Sequence, residues 1–252
     1  MIKAMINIIR SILFDLLFYT LNIFACILCI PGLLLSNEKA LQWIVRPYVR
    51  SIYFLEKYIM GLDFELRGLE HIPRKGAYII AAKHQSAYET FKLHLLFDNP
   101  AIVLKKELLR VPIWGRFLAK VDPIAIDRSR GTDAMTQILD GAKRIQSQHR
   151  PLIIFPQGTR VPIELTPQDK PYKIGVARMA EATGMKIVPL ALNSGYFWPK
   201  KSFIKKSGKV VFEFLPPIDP KDYGVYEIIK TLETQLEEHS NALLPAPQKK
   251  LK

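Results

Sequence analysis

Residues 77–89 read AYIIAAKHQSAYE, and the order of signals in this stretch decides the fold. The β-rich run at 77–83 predicts a strand. Ser86 and Glu89 then match a capping box, in which the serine caps a helix and the glutamate reaches back to a backbone N–H. The stretch therefore predicts a strand that passes directly into a helix.

The same alternation of strand and helix continues along the chain. β-rich runs lie at 63–67, 77–83, 102–105, 124–127, 152–155, 186–192 and 209–215, and helical runs lie at 87–97, 132–148, 173–183 and 225–242. Such alternation is typical of a layered α/β/α domain with a largely parallel sheet. We expect this domain to span residues 61–245 and a basic tail to follow it at 246–252.

Residues 16–37 contain no charged side chain. A helix rises about 1.5 Å per residue, so a helix of this length would cover the roughly 30 Å of bilayer hydrocarbon. The apolar pattern is nevertheless imperfect, because Asp15 and Asn22 are polar and the pair Pro31-Gly32 should break a helix. The run predicts membrane association without fixing how the chain meets the bilayer.

The next stretch, 40–62, is amphipathic. Its apolar residues recur at spacings near three and four, and Arg46, Arg50 and Lys57 fall between them. This pattern is typical of a helix in the lipid interface with basic side chains at the headgroups. Because basic residues flank the apolar run on both sides, we expect residues 1–60 to form a helical membrane motif that dips into one leaflet; a single span is the alternative.

The charge balance of the chain indicates an anionic partner. A net charge of +13 and a pI near 9.7 favour nucleic acid, an acidic lipid surface or phosphorylated small molecules. One lysine cluster is expected to contact anionic headgroups, the acidic helix of a carrier protein or solvent: Lys200, Lys201, Lys205, Lys206 and Lys209. Two cysteines exclude a disulfide-built scaffold, and the five histidines lack the spacing of a zinc site, so we predict no metal.

Chemistry-bearing residues follow the predicted strands. His84 comes after the strand at 77–83, Lys105 ends the next strand, and Arg128 and Arg160 follow two more. Ligands of open α/β sheets bind beyond the carboxyl ends of the strands. One titratable base and several cations would therefore meet at one sheet edge, which suits a phosphate-bearing substrate whose hydroxyl is to be deprotonated.

Structural roles remain open for the same residues. His84 fits a strand-end histidine with a satisfied hydrogen bond, and the capping box accounts for Glu89 without catalysis. Gly158 fits a turn that needs a positive φ angle. The nucleophile-elbow and P-loop motifs are absent from the sequence, which argues against two other common chemistries of α/β folds.

Four blocks around these residues resemble, in the same order, the sequence blocks of the glycerolipid acyltransferase family. They are HQSAYE at 84–89, VDPIAIDR at 121–128, FPQGTR at 155–160 and IVPLAL at 187–192. Glu89 stands where the family has aspartate and keeps the carboxylate on a longer side chain. Gln157 stands where the family has glutamate, which weakens any role for an obligatory acid at this position.

The resemblance implies roles for individual residues. His84 would act as the general base and Glu89 would orient its imidazole. Backbone N–H groups at the start of the helix after His84, or around Gly158, would stabilise the oxyanion. The substrate-binding residues implied are Lys105, Arg128, Gly158, Thr159 and Arg160. No cofactor is implied beyond acyl-CoA or acyl-carrier protein as co-substrate.

The resemblance also implies a reaction and a location. The enzyme would transfer an acyl group to the sn-2 hydroxyl of 1-acylglycerol-3-phosphate (lysophosphatidic acid), forming phosphatidic acid in phospholipid biosynthesis at the cytoplasmic face of a bacterial inner membrane. Membrane lipids, and not nucleic acid, are the expected macromolecular surroundings. The alternatives are an acyltransferase for another lysolipid, such as a lyso-ornithine lipid, a non-catalytic membrane-binding module of the same fold, and a basic nucleic-acid-binding protein.

Overall fold

The computed structural model describes residues 2–28, 30, 38–127 and 131–245. The predicted helix break at Pro31-Gly32, the substrate residue Arg128 and the basic tail at 246–252 lie outside these ranges. Helix α1 comprises Ile2–Leu28, and α2 comprises Glu38–Phe54 and continues into a π-helical turn at Leu55–Ile59. The amphipathic stretch 40–62 is thus helical over most of its length.

The core of the protein is a seven-stranded sheet. In the described part of the chain its strands are β1 Leu62–Arg67, β2 Ile79–Ala82, β3 Ala101–Lys105, β4 Ile124–Ile126, β5 Leu152–Ile154, β6 Ile187–Leu192 and β7 Gly208–Phe214. Their spatial order is β1-β7-β6-β2-β5-β3-β4. The five strands from β6 to β4 run parallel, whereas β7 is antiparallel to β6 and parallel to β1. The predicted largely parallel sheet is confirmed.

Helices cover both faces of the sheet. The remaining helices are α3 Tyr88–Leu96, α4 Trp114–Lys120, α5 Gly131–Ser147, α6 Gly175–Thr183, α7 Ser194–Phe197 and α8 Val225–Ala242. Because side chains alternate across a strand, Ile79 and Ala81 pack with α5, α6 and α8, while Ile80 and Ala82 pack on the opposite side with α3 and Phe14 of α1. The predicted α/β/α layering is confirmed. The sequence does not predict α4 and α7, since both are too short to show an apolar stripe.

One stripe of α1 faces the rest of the protein. Phe14 is fully buried, and its ring lies 5.3 Å from the ring of Trp198. Asp15 Oδ1 lies 2.7 Å from Lys205 Nζ, and Asn22 Oδ1 accepts a hydrogen bond of 2.7 Å from the Tyr48 hydroxyl of α2. The two polar positions that interrupt the apolar pattern therefore lie toward protein partners.

Most of the remaining α1 surface is apolar and exposed. The stretch Ala4–Leu28 is long and apolar enough to cross a membrane by length and composition. Its large exposed side chains include Ile9, Ile12, Leu16, Ile23 and Phe24, each more than half exposed. A soluble environment would not favour so much contiguous apolar surface.

Lys205 corrects part of the prediction for the lysine cluster. Its side chain is 3% exposed, it pairs with Asp15, and its backbone N–H donates to Ser11 Oγ over 2.9 Å. Lys201 and Lys209, in contrast, are exposed. Spacing along the sequence could not separate Lys205 from its neighbours, because its partners lie in α1, about 190 residues earlier.

Candidate active site

The carboxyl ends of four neighbouring strands form the candidate site. In the spatial order β6-β2-β5-β3, these ends lead into Ser194, His84, the loop at 155–160 and Lys105. Parallel strands bring residues that are distant in sequence to the same edge of the sheet. The topology therefore brings together the predicted base and two of the predicted cation-bearing segments.

His84 and Glu89 form a hydrogen-bonded pair. The Nδ1 atom of His84 lies 2.9 Å from Glu89 Oε1. The glutamate side chain is fully buried, whereas the imidazole is 17% exposed. A buried carboxylate beside one ring nitrogen selects the tautomer with its proton on Nδ1 and leaves Nε2 as the acceptor.

Glu89 also organises the backbone that leads into α3. Its Oε1 accepts hydrogen bonds of 2.7 Å from the backbone N–H groups of both Gln85 and Ser86. The Ser86 hydroxyl accepts a bond of 3.2 Å from Tyr88 N, so the serine satisfies a backbone donor at the start of the helix as the sequence predicts, although Ala87 stands directly before α3. The capping role and the contact with His84 therefore coexist in one carboxylate, and the two readings of Glu89 are not exclusive.

The imidazole of His84 is fixed by stacking as well as by its hydrogen bond. Its ring centroid lies 3.9 Å from that of Phe155, with an angle of 20° between the ring planes. Among the described residues, no hydrogen bond reaches His84 Nε2. The nitrogen opposite Glu89 thus remains available to accept a proton from a substrate.

The loop after β5 is bound to the backbone of His84. Val161 N donates to His84 O over 2.7 Å, and Gly158 N donates to Phe155 O over 2.8 Å. Gly158 has a φ angle of 70°, so the predicted turn with positive φ is confirmed. Thr159, predicted to bind substrate, lies half-buried in the same loop.

Positive side chains gather around this loop. Lys200 Nζ donates to the backbone oxygen of Arg160 over 2.8 Å. Burial, followed by the neighbouring charges of Arg160, Lys201, Lys170 and Lys105, lowers the pKa of Lys200. The charges of these four residues thus all act on Lys200, and we call the five residues the basic cluster.

Sequence reasoning missed three members of the site. Ser194 donates a hydrogen bond of 2.7 Å to Glu89 Oε2, Phe155 stacks on His84, and Lys200 supports Arg160. A signal for Ser194 exists, because it follows a predicted strand just as His84 does. Nothing in the spacing predicts the role of Lys200, which depends on the folding of a loop far along the chain.

The geometry limits the source of oxyanion donors. The N–H groups of Gln85 and Ser86 are bound to Glu89, that of Tyr88 is bound to Ser86, and that of Gly158 is bound to Phe155. These four N–H groups are therefore already bound within the site, and an oxyanion donor from either predicted source would have to be another backbone N–H. In the described ranges, no group of three or more histidine, cysteine or acidic side chains is arranged to hold a metal ion.

Comparisons with known proteins point to one family. A family model described as Acyltransferase matches residues 63–193. The 1-acyl-sn-glycerol-3-phosphate acyltransferase of Pseudomonas aeruginosa is 33% identical over 82% of this chain and 80% of its own length. The enzyme of that name from Saccharomyces cerevisiae is 30% identical over 85% of this chain and 70% of its own length.

A solved structure supports the same fold. The crystal structure of the 1-acyl-sn-glycerophosphate acyltransferase from Thermotoga maritima matches with a TM-score of 0.74 and 21% identity. The match covers 94% of this chain and 97% of the other. The likeness extends beyond residues 63–193, so it includes sequence on both sides of the part that matches the family model.

Proposed function

The chain belongs to the acyltransferase family, and from this premise we propose that it acylates the sn-2 hydroxyl of 1-acylglycerol-3-phosphate to form phosphatidic acid. The observation that carries the proposal is the His84–Glu89 pair at the sheet edge where the strands leading to Lys105 and to the loop of Arg160 also end. A base with a free Nε2 suits deprotonation of a hydroxyl, and a concentration of cations suits a phosphate monoester. The names of the relatives in Pseudomonas and yeast support this choice of acceptor.

The proposed reaction needs a single base that moves one proton twice. His84 Nε2 takes the proton of the sn-2 hydroxyl as the oxygen attacks the thioester carbonyl of the donor. The tetrahedral intermediate then collapses, the carbon–sulfur bond breaks, and the imidazolium returns the proton to the leaving thiolate. Glu89 stabilises the imidazolium between the two steps through its bond to Nδ1.

The basic cluster would bind the phosphate of the acceptor. Arg160 offers a planar fork of donors that matches two phosphate oxygens, and Lys105 adds a second charge. Lys200 holds the backbone of Arg160 and so fixes the loop from which the guanidinium extends. Arg128, which lies outside the described residues, remains a proposed member of this set.

The acyl donor is proposed to be acyl-CoA or acyl-carrier protein. Both are thioesters and meet the chemical requirement of the proposed reaction equally well. The basic cluster suits either carrier, because both bear phosphate groups. Both donors are water-soluble, so the site is proposed to work at the cytoplasmic face of a bacterial inner membrane.

We also propose that α1 lies along one leaflet instead of crossing the bilayer. Its contacts with the rest of the protein extend from Ser11 to Asn22, through the middle of the helix. A helix fixed to a folded domain along its centre cannot place its two ends on opposite sides of a membrane without carrying that domain into the hydrocarbon. The exposed Phe203 and Ile204 lie beside Lys205, which contacts α1, and they extend the apolar surface.

The decisive experiment is acyl transfer by the purified full chain in mixed micelles, with lysophosphatidate as acceptor and each donor in turn. Phosphatidic acid should form with the wild type and not with His84→Ala. His239→Ala is the matched control, because His239 Nδ1 pairs with Glu213 Oε2 over 3.0 Å on an exposed surface. Unchanged turnover in His84→Ala would overturn the catalytic assignment.

A panel of lysolipid acceptors tests the choice of substrate. If the proposal is correct, removal of the phosphate from the acceptor should abolish turnover, and lysophospholipids with an esterified phosphate should react more slowly. Faster transfer to a lyso-ornithine lipid would instead support the alternative that the chain is an acyltransferase for another lysolipid. A chain that binds vesicles but acylates no acceptor would be a membrane-binding module.

A further inference from the structure

The second oxygen of the Glu89 carboxylate has its own partner. Ser194, the first residue of α7, donates its hydroxyl to Glu89 Oε2 over 2.7 Å, and both side chains are fully buried. The two residues are 105 positions apart and lie on helices that follow the neighbouring strands β6 and β2. The contact therefore belongs to the tertiary fold and lies outside the capping box.

The start of α7 is fitted closely against the segment that follows β2. Gly195 N donates to Gln85 Oε1 over 3.0 Å. A Cβ atom at Gly195 would lie 2.9 Å from the Cβ of Gln85, closer than such atoms approach in proteins. The absence of a side chain at Gly195 thus allows α7 to come near enough for Ser194 to reach the buried carboxylate.

We propose that Ser194 is a positioning residue that holds the carboxylate of Glu89 in the orientation required by His84. This inference rests on the proposed acyl transfer. Oε1 binds the imidazole and two backbone N–H groups, and the terminal torsion of a glutamate is soft. A donor at Oε2 restrains that torsion. Glutamate has one more rotatable bond than the aspartate of the family, so this restraint matters more here.

The first test compares kinetics of serine variants. Ser194→Ala should lower kcat about tenfold to a hundredfold, the range observed when a hydrogen-bonded partner that orients a metal ligand is lost. KM for either substrate should stay within about twofold of wild type, since Ser194 binds neither. Ser194→Thr retains a hydroxyl and should recover most of the rate. A threonine variant as slow as the alanine variant would contradict the proposal.

A matched control separates positioning from general loss of packing. Ser240 is also buried, and its hydroxyl accepts a bond of 3.2 Å from Leu192 N and has no bond to Glu89 among the described residues. Ser240→Ala should lower the melting temperature without lowering kcat. A kcat of Ser194→Ala within twofold of an active wild type would overturn the proposal and leave the proposed function intact.

A spectroscopic readout keeps the test independent of the substrate. The proton between His84 Nδ1 and Glu89 should give a downfield resonance in proton NMR, assigned by its disappearance in His84→Ala. The resonance should shift or broaden in Ser194→Ala and stay in place in Ser240→Ala. If the wild type acylates no lysolipid, the proposed function fails, and an unmoved resonance in Ser194→Ala would still overturn the positioning role.

Discussion

Lys205 Nζ lies 2.7 Å from Asp15 Oδ1, and this ion pair attaches the apolar helix α1 to the segment between α7 and β7. The lysine is 3% exposed and the aspartate 19%. The ammonium also lies 5.4 Å from the ring centroid of Phe14 and 5.3 Å from that of Trp198. Cation–π contacts of this kind strengthen when water is excluded. The ion pair therefore holds α1, which carries the proposed membrane-binding surface, in a fixed position relative to the sheet.

Asp15→Ala should destabilise the protein by about 1.5–3 kcal/mol, because it leaves a largely buried ammonium without its carboxylate. Thermal unfolding in detergent measures the loss. Asp98→Ala is the matched control: Asp98 Oδ1 lies at the same distance, 2.7 Å, from Arg46 Nη2, but both side chains are more than half exposed. That control should change stability by less than about 1 kcal/mol. Equal losses of stability in Asp15→Ala and Asp98→Ala would contradict a special role for the Asp15–Lys205 ion pair.

Glu89→Gln should reduce the rate far more than the stability. The amide can still accept from the backbone of Gln85 and Ser86, so the helix start survives. It carries no charge to stabilise the imidazolium, and comparable changes in catalytic triads lower kcat by about 10⁴. Parallel assays of turnover and melting temperature check this. A variant that unfolds readily but turns over normally would show that Glu89 is only a cap.

Arg160→Ala should raise KM for lysophosphatidate about tenfold to a hundredfold, the equivalent of one charge-assisted contact of roughly 1.5–3 kcal/mol. KM for the acyl donor should change less. Lys143, an exposed residue of α5, provides a control substitution to alanine that should leave both constants unchanged. Equal increases for both substrates would argue that Arg160 does not bind the acceptor phosphate.

Lys92 and Glu56 form a buried ion pair between α3 and the π-helical turn. At pH 8, above the raised pKa of Glu56, Glu56→Gln removes the carboxylate and leaves the buried ammonium unpaired, which should cost about 3–5 kcal/mol. Replacement of both residues, Glu56→Leu with Lys92→Met, should restore most of that stability, since apolar side chains can fill the same volume. Thermal unfolding of the single and double variants measures the difference. A double variant as unstable as Glu56→Gln would contradict the prediction that apolar side chains can replace the ion pair.

The same pair predicts a pH dependence of stability. Burial raises the pKa of Glu56 from 4.5 to about 7, against the opposing effect of Lys92. Between these values the folded chain binds a proton that the unfolded chain releases, so the contribution of Glu56 to stability falls as pH rises through this window. The wild type should lose more stability between pH 5 and pH 8 than the double variant does. Burial also lowers the pKa of Lys92, and loss of that proton at higher pH acts in the opposite direction, so the excess slope of the wild type reports the net titration of the pair. Identical slopes would contradict a net titration of this pair between pH 5 and pH 8.

Local sequence signals determined the layered architecture. Both ends of every strand lie within two residues of the predicted ends. This agreement is possible because β-rich runs and helical periodicity are patterns of residues that are close together in the sequence. The meeting of His84, Lys105 and the loop at 155–160 also follows from sequence, since a parallel sheet brings the carboxyl ends of its strands to one edge.

Only the tertiary structure decided which polar side chains are buried and which partners they bind. Lys205 and Lys201 look alike in the sequence, yet one is buried against α1 and the other is exposed. The bond from Ser194 to Glu89 and the support of Arg160 by Lys200 join segments 105 and 40 residues apart. Such contacts depend on the register and approach of packed elements. Those properties depend on the whole fold, and no periodic pattern in the sequence predicts them.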